Sequence, residues 1–340
     1  MSDNQRNQRI FETFKIKNKD IKRIGKHLGK GGFGEVKEIL MDNNKLFAGK
    51  LIEKKKRQKA KEEEYGINIR GKNIVNINKI MSNNVDGKDY LLIIMEKCIL
   101  RDLGTLNNFF CDKNLLKTIN KPFYETLGDN LLRFYTKQII NALELLNRNY
   151  YVHNDIKPQN ILIGDNLTLK LTDFGLLRKV QDKPTIIPGG TSGYLSPEYY
   201  INKEVNSEIA RKQDYFALGS TLYFLKYGKK MLNPGIYNNN DKIIISDEII
   251  KLLEQNRDNI KSGKTSDGEF IKFLCSLIEF KPEDRMCFEE IYRNIWLNNN
   301  SKQINNIHSI HQREEEKLIM ELQKSDFLIL KEKENEQKSK

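Results

Sequence analysis

The hydrophobic pattern of this chain changes character once, near Cys98, and that change constrains its fold more than any other feature. Before it, short apolar runs alternate with turn residues. Segments 27–28, 36–40, 46–51, 75–81 and 90–96 read as strands, with one helical stretch over 54–69. A tight glycine-rich segment, 29–34, joins the first two strands, and the turn text Asn83-Asn84-Val85-Asp86-Gly87 joins the last two. After Cys98, Leu131, Leu132, Tyr135, Ile139, Leu143 and Leu146 recur every three or four residues, which predicts one apolar face of a long helix ending near Asn149. Short strands are expected around 161–163 and 169–171, and helical patterns dominate from Gln213 to about Leu297. The expectation is an α+β chain in which a small strand-rich lobe precedes a larger helical one. No internal repeat is found.

The two ends differ from this body. Residues 1–20 are polar and poor in apolar periodicity, so a flexible N-terminal arm is expected. Residues 299–340 predict a charged, partly helical tail, a candidate for binding a partner that the sequence does not identify. The apolar spacing lapses between Ile310 and Leu318, which does not support a sustained coiled coil.

Composition removes several classes. Cys98, Cys111, Cys275 and Cys287 lie far apart without a Cys-x-x-Cys pair, which argues against a zinc site and a disulfide frame and suits a reducing interior, cytoplasmic or nuclear. No apolar run approaches the roughly 18 residues of a membrane span, and the start lacks the apolar core of a signal peptide. Lys and Arg outnumber Asp and Glu by 58 to 46, for a net charge of +12. The excess gathers in 15–26 and 54–61, where no aromatics interleave to stack on bases. A solvated helix face and arm explain it, and no nucleic-acid partner is expected.

Two segments carry chemistry. The first is Gly29-Lys30-Gly31-Gly32-Phe33-Gly34-Glu35-Val36. Glycine lets a backbone bend sharply and approach a phosphate chain with no side chain between. Taken alone, the spacing suits a plain hairpin or a dinucleotide fingerprint equally well. A fingerprint should open a helix, however, whereas these glycines lie between strands, with Ala48-Gly49-Lys50 on a third. The second is His153-Asn154-Asp155-Ile156-Lys157-Pro158-Gln159-Asn160, followed by Asp173-Phe174-Gly175. Moving a γ-phosphoryl group needs position and charge more than covalent help: oxygen ligands for Mg²⁺ and a carboxylate for the attacking hydroxyl.

In that order and spacing, from about Ile21 to Leu297, the chain resembles the eukaryotic protein kinases. The resemblance implies a two-lobed fold with ATP in a cleft between an N-lobe, 21–97, and a C-lobe, 98–298. It implies that Gly29, Lys30, Gly31, Gly32, Phe33 and Gly34 cover the phosphates. Lys50 would hold them and pair with a helix glutamate, for which Glu62 is the choice and Glu63 and Glu64 stay open. Asp155 would be the catalytic base, Lys157 would meet the transferring phosphate, and Asn160 and Asp173 would be the Mg²⁺ ligands. Val36, Ala48 and Leu162 would sandwich the adenine, with Met95 behind it and the backbone of Glu96 and Cys98 at its edge. Asp214, Glu198 and Arg285 would be structural supports.

Lys157 and Gly190-Thr191 resemble the serine/threonine-directed branch, so protein Ser and Thr hydroxyls are the expected acceptors. A pseudokinase-type scaffold of the same fold is the alternative. It is opposed by the presence of Lys50, Asp155, Asn160 and Asp173 together. One position departs from the family: Asn154 stands where an arginine usually reads an activation-loop phosphate. Asparagine carries no charge for that purpose, so activity is expected not to need phosphorylation at Thr185.

Overall fold

The computed structural model of the protein describes residues 3–31, 34–54, 66–98, 102–110, 129–180, 185–186, 189–201, 204–228, 230–231 and 268–298. The chain forms two compact units, Met1–Tyr292 and Arg293–Lys340.

The first unit begins with a helix, α1 (Asp3–Lys17), and then five strands: β1 (Ile21–Gly31), β2 (Gly34–Met41), β3 (Leu46–Lys54), β4 (Ile77–Val85) and β5 (Lys88–Glu96). They make one antiparallel sheet in the order β1-β2-β3-β5-β4. The turn between β4 and β5 is shorter than the sequence text implied. Only Asp86 and Gly87 form it, at φ 52° and 75°, the left-handed pair that a two-residue hairpin demands.

Side chains alternate across a sheet, so each face has its own set. Ile39, Leu51, Leu92 and Ile94 share one face and pack in a single cluster with Ile10, Phe11 and Phe14 of α1. That cluster corrects the expectation of a flexible arm at 1–20. Only three residues of the helix are buried, too few to mark a periodic face in so polar a stretch, but Phe11 is 0% exposed and Ile10 and Phe14 are 2%. Burying each contributes roughly 1.5–3 kcal/mol, enough to hold a short helix that propensity alone would not. Asp3 in its first turn and Lys15 and Lys17 in its last oppose the helix dipole.

After β5 the chain is mainly helical. The elements are α2 (Leu103–Phe110), α3 (Asp129–Arg148), β6 (Tyr151–Val152), β7 (Ile161–Ile163), β8 (Leu169–Leu171), β9 (Arg178–Lys179) and β10 (Thr185–Ile186). Then come α4 (Pro197–Ile201), β11 (Glu204–Val205), α5 (Ser207–Tyr227), α6 (Gly268–Leu277) and α7 (Phe288–Arg293). Of the face predicted for α3, Leu132, Tyr135, Ile139, Leu143 and Leu146 lie in the core, while Leu131 at its start is only partly buried. The central helix is α5, buried from Lys212 through Leu225. It is capped by the Asn206 side chain, which accepts from the Ile209 N–H at 2.8 Å, and it ends on Gly228 at φ 67°. Among the described residues no helix is long and apolar enough to cross a membrane.

The strand lobe is fastened to the helical one behind the cleft. Val75 N–H donates to the Leu171 carbonyl at 2.9 Å, and Leu171 N–H donates to the Asn73 carbonyl at 2.9 Å. The buried Asn73 amide donates to Gln138 Oε1 at 2.9 Å and to the Leu169 carbonyl at 3.0 Å. In the second unit a short helix, α8 (Ile295–Asn298), is led by Asn294, whose Oδ1 accepts from the Trp296 N–H at 2.9 Å. The predicted helix over 54–69 and the tail 299–340 lie almost wholly outside the described residues.

Candidate active site

The glycine-rich segment closes the β1–β2 hairpin. Gly29, Lys30 and Gly31 end β1, and Gly34 opens β2 opposite Gly31. Gly32 and Phe33 lie outside the described residues. Gly34 has to be glycine, because a Cβ there would stand 2.1 Å from the Leu51 carbonyl oxygen of β3. That close approach presses the hairpin onto the strand carrying Lys50. The register sets Val36 beside Lys50 and Ala48 beside Met95, so these four share the sheet face opposite α1. In the helical lobe Leu162 stands half-exposed between buried Ile161 and Ile163.

Lys50 crosses the cleft. Its Nζ donates to Asp173 Oδ1 at 2.8 Å, with the lysine side chain 9% exposed and the aspartate 20%. Asp173 has φ 66° and ψ 71°, a left-handed conformation that aspartate tolerates better than most residues. The next residue explains the backbone's shape: Phe174 is buried and meets the His153 ring edge-on at 5.7 Å. Turning Phe174 into the core sends Asp173 outward to the lysine. Glu62, Glu63 and Glu64 lie outside the described residues, and the expected glutamate partner of Lys50 with them.

The segment around Asp155 is held from beneath by α5. Buried Asp214 accepts the His153 N–H at 2.7 Å on Oδ2 and the Asn154 N–H at 2.9 Å on Oδ1. Burial raises the Asp214 carboxyl above its usual range, against the pull of those donors and of His153. His153 is fixed on both ring nitrogens: Nδ1 accepts from the Asp155 N–H at 3.3 Å, and Nε2 meets the Thr172 carbonyl at 3.1 Å.

Asp155 then gathers four hydrogen bonds. Lys157 Nζ donates to its Oδ2 at 2.7 Å, and the Thr191 hydroxyl donates to Oδ1 at 2.6 Å. The Asn160 amide donates to Oδ2 at 2.9 Å and to the Asp155 carbonyl at 2.8 Å. Thr191 in turn accepts from Lys157 Nζ at 2.6 Å, which closes a ring of three side chains. Burial pushes the Asp155 carboxyl up, but the hydrogen bonds from Lys157 and Thr191, with the lysine charge, outweigh it and hold the group below its ordinary value. It is therefore ionised at neutral pH, beside the Lys157 cation.

Asn160 and Asp173 are brought together by backbone, since Thr172 N–H donates to the Asn160 carbonyl at 2.9 Å. The amide nitrogen of Asn160 is committed to Asp155, and Asp173 uses one carboxylate oxygen on Lys50. Among the described residues no group of three or more His, Cys, Asp or Glu could hold a metal. One carboxylate with one amide oxygen is instead the sparse set that suits Mg²⁺ when phosphates complete its shell.

Three features escaped the sequence reading. Asn154, at φ 63°, uses its amide to donate to the Leu176 carbonyl at 3.0 Å, tying the Asp155 segment to the one that follows Asp173. The Glu96 carboxylate accepts from Asn76 N–H at 2.7 Å and from Lys170 of β8 at 2.9 Å, binding the connection between lobes to both. Asn154, Tyr194, Ser196, Gln213 and Asp214 line a small cavity, in which Ser196 Oγ and Gln213 Nε2 have no hydrogen-bond partner among the described residues. Each pairing joins residues far apart in sequence, and no local signal marks them. On the far side of the helical lobe, buried Arg285 pairs with both oxygens of Glu198, at 2.8 and 3.1 Å.

A hairpin of glycines over a strand lysine, facing an ionised aspartate and an Asn–Asp oxygen pair, is the layout of a phosphate-handling cleft. The family model of the protein kinase domain matches residues 23–297, and the chain belongs to that family, with its two-lobed fold. The chain is 26% identical over 276 residues to the serine/threonine-protein kinase Genghis Khan of Drosophila melanogaster, covering 77% of this chain and 16% of that protein. It is 29% identical over 233 residues to the human serine/threonine-protein kinase MRCK alpha, covering 64% of this chain and 12% of the relative. It is 27% identical over 288 residues to an Aurora kinase of Eremothecium gossypii, covering 82% of this chain and 69% of the relative. It thus spans less than a fifth of the length of Genghis Khan and MRCK alpha. Proteins of this family generally use ATP and Mg²⁺.

Proposed function

We propose that the protein is a serine/threonine protein kinase that transfers the γ-phosphoryl group of ATP to protein hydroxyls. The observation that carries the reading is the ring of Asp155, Lys157 and Thr191, with Asn160 bonded to Asp155, in a cleft whose opposite wall carries Lys50. Asp155 orients the acceptor hydroxyl and receives its proton. Lys157, already paired to Asp155, lies where charge on the transferring group would develop and steadies it. Thr191 keeps the two in register.

Lys50 holds the non-transferred phosphates, and the backbone of 29–34 covers them. Val36, Ala48 and Leu162 bound the adenine, Met95 lies behind it, and Glu96 and Cys98 offer backbone groups to its edge. Asn160 and Asp173 hold Mg²⁺, which when bound neutralises charge along the phosphate chain. The four groups that a pseudokinase scaffold tends to lack are all present. The kinase region is 21–298, with lobes 21–97 and 98–298. An enzyme that consumes ATP, with none of its described cysteines in a disulfide, belongs in a reducing compartment that holds ATP, the cytoplasm or nucleus.

The test is transfer of label from γ-labelled ATP to a mixed set of Ser, Thr and Tyr peptides with Mg²⁺. The reading predicts label on Ser and Thr and none on Tyr, and a fall of about 100-fold or more in kcat for Asp155→Asn. Labelled Tyr alone, or undiminished transfer by the variant, would overturn it.

A further inference from the structure

The helix α1 does more than cover a sheet face. Along its length it reaches from β2 to the β4–β5 hairpin. At one end Asn7 Nδ2 donates to Glu35 Oε2 at 2.8 Å, and Gln8 meets Lys37, whose ammonium also sits 5.2 Å from the centre of the Phe11 ring. At the other end Lys17 bonds Asn83, Asn18 meets Met81, and Asn83 donates to the Thr13 hydroxyl at 3.1 Å. Arg6 also donates to the Tyr90 hydroxyl at 2.7 Å, and Arg9 pairs with Asp86 of the β4–β5 turn at 3.2 Å.

Glu35 is the unusual partner. It follows Gly34 directly and precedes Val36, so its backbone belongs to the nucleotide-binding hairpin, paired with Leu51 beside Lys50. Its carboxylate points the other way, toward α1, and is 2% exposed. A buried carboxylate must be met by donors or it will move to find them. Here Oε2 is met by Asn7, and Oε1 by His27 at 3.2 Å and Lys37 at 3.4 Å. A Cβ on Gly34 would stand 2.1 Å from the Leu51 carbonyl oxygen, so the hairpin lies close against β3 at the residue before Glu35.

We propose that α1 is an intramolecular positioning element for the nucleotide-binding hairpin, acting through the hydrogen bond from Asn7 to Glu35. The function assigned to the hairpin rests on the kinase reading above; the mechanical link does not. Asn7 touches no substrate and acts only through Glu35, which fixes Gly34 and Val36 on either side.

The experiment uses the full chain and four variants: Asn7→Leu, Asn7→Asp, the double variant Asn7→Asp with Glu35→Gln, and Arg9→Ala. Asn7→Leu removes the donor, and Asn7→Asp sets a second carboxylate against the first. The double variant exchanges donor and acceptor, so the pair is made again. Arg9→Ala removes an exposed tie of the same helix, as a control. Hydrogen exchange of the 29–36 amides and the KM for ATP are measured on each, with thermal melts to verify folding.

Asn7→Leu and Asn7→Asp should speed hairpin exchange and raise KM for ATP about three- to tenfold, the scale of one ordinary hydrogen bond transmitted to the site, with kcat unchanged. The double variant should return to within about twofold of the parent, and Arg9→Ala should match it. Unchanged exchange in both single variants overturns the link, whatever the nucleotide data. Faster exchange with unchanged KM overturns the positioning role and leaves α1 a brace. A double variant as impaired as Asn7→Asp also refutes it. Parent protein that binds no ATP but shows faster exchange in the single variants would sink the kinase reading while sparing the link.

Discussion

The buried pair of Arg285 and Glu198 should be the most expensive polar interaction to break in the helical lobe. Arg285 is 1% exposed and Glu198 3%. The guanidinium places both terminal nitrogens on the carboxylate, at 2.8 and 3.1 Å. It also donates to the Lys212 carbonyl at 2.8 Å and to the Glu279 carbonyl at 2.9 and 3.3 Å, and it lies 5.1 Å from the centre of the Phe216 ring. Removing one member of such a pair strands the other's charge, at a cost of about 3–5 kcal/mol. Glu198→Gln keeps an acceptor oxygen for one of the two bonds and belongs at the lower end, about 3 kcal/mol. Arg285→Met strands Glu198 and also orphans two carbonyls, so it belongs at about 5 kcal/mol. A domain has only about 5–15 kcal/mol in hand, so the arginine variant should approach the unfolding threshold.

The double variant leaves no unpaired charge. It should lose about 4–5 kcal/mol rather than the sum of the two single losses, a coupling of roughly 3–4 kcal/mol. Urea denaturation of the full chain and the three variants at 25 °C gives these values directly. Losses that add within about 0.5 kcal/mol, or an Arg285→Met variant costing under about 1 kcal/mol, would show that the pair is not desolvated as its burial implies.

Three other outcomes follow from particular side chains. Thr185→Ala should keep the parent's kcat and fold, since the position that would read a phosphate is Asn154, whose amide is occupied by the Leu176 carbonyl; loss of activity in a folded variant would refute this. Ser196→Ala should be neutral or raise stability by up to about 1 kcal/mol, because it removes a buried hydroxyl with no partner among the described residues; a clear fall in Tm would mean that the hydroxyl is bonded in solution. The Cys98 thiol is pushed up to about 12 by burial first and the Glu96 charge second, so it stays protonated at pH 8. Its alkylation there, followed by mass spectrometry, should run about a thousandfold slower than that of a free thiol and accelerate only toward pH 12; rapid labelling at pH 8 would contradict the environment described.

The groups that meet in the cleft were legible because the chain carries them in the order and spacing of the family it resembles. Lys50, Asp155, Lys157, Asn160 and Asp173 could all be named from the text. The long helix α3 was legible because six largely apolar residues recur at its period, five of which are buried. What could not be read depends on pairings across the sequence. Three buried residues in a polar stretch of fifteen did not announce α1, since their value comes from a sheet face presented by β2, β3 and β5. Glu35 reads as an ordinary exposed charge after the glycines, and only the docked helix makes it a buried one. Asn154 could be seen as a departure from the family, but not what its amide holds. The bond to Leu176 depends on the left-handed backbone at Asn154, which the sequence does not display.

The central claim is that this cleft moves a γ-phosphoryl group with Mg²⁺ held by Asp173 and Asn160. The most direct measurement is the initial rate of transfer from ATP to a Ser/Thr peptide across a Mg²⁺ titration, for the parent and Asp173→Ala. The account predicts saturable, Mg²⁺-dependent transfer by the parent and a loss of at least about 100-fold in the variant, with its fold intact. Transfer that survives the substitution, or a folded parent that transfers nothing at any Mg²⁺ concentration, would contradict it.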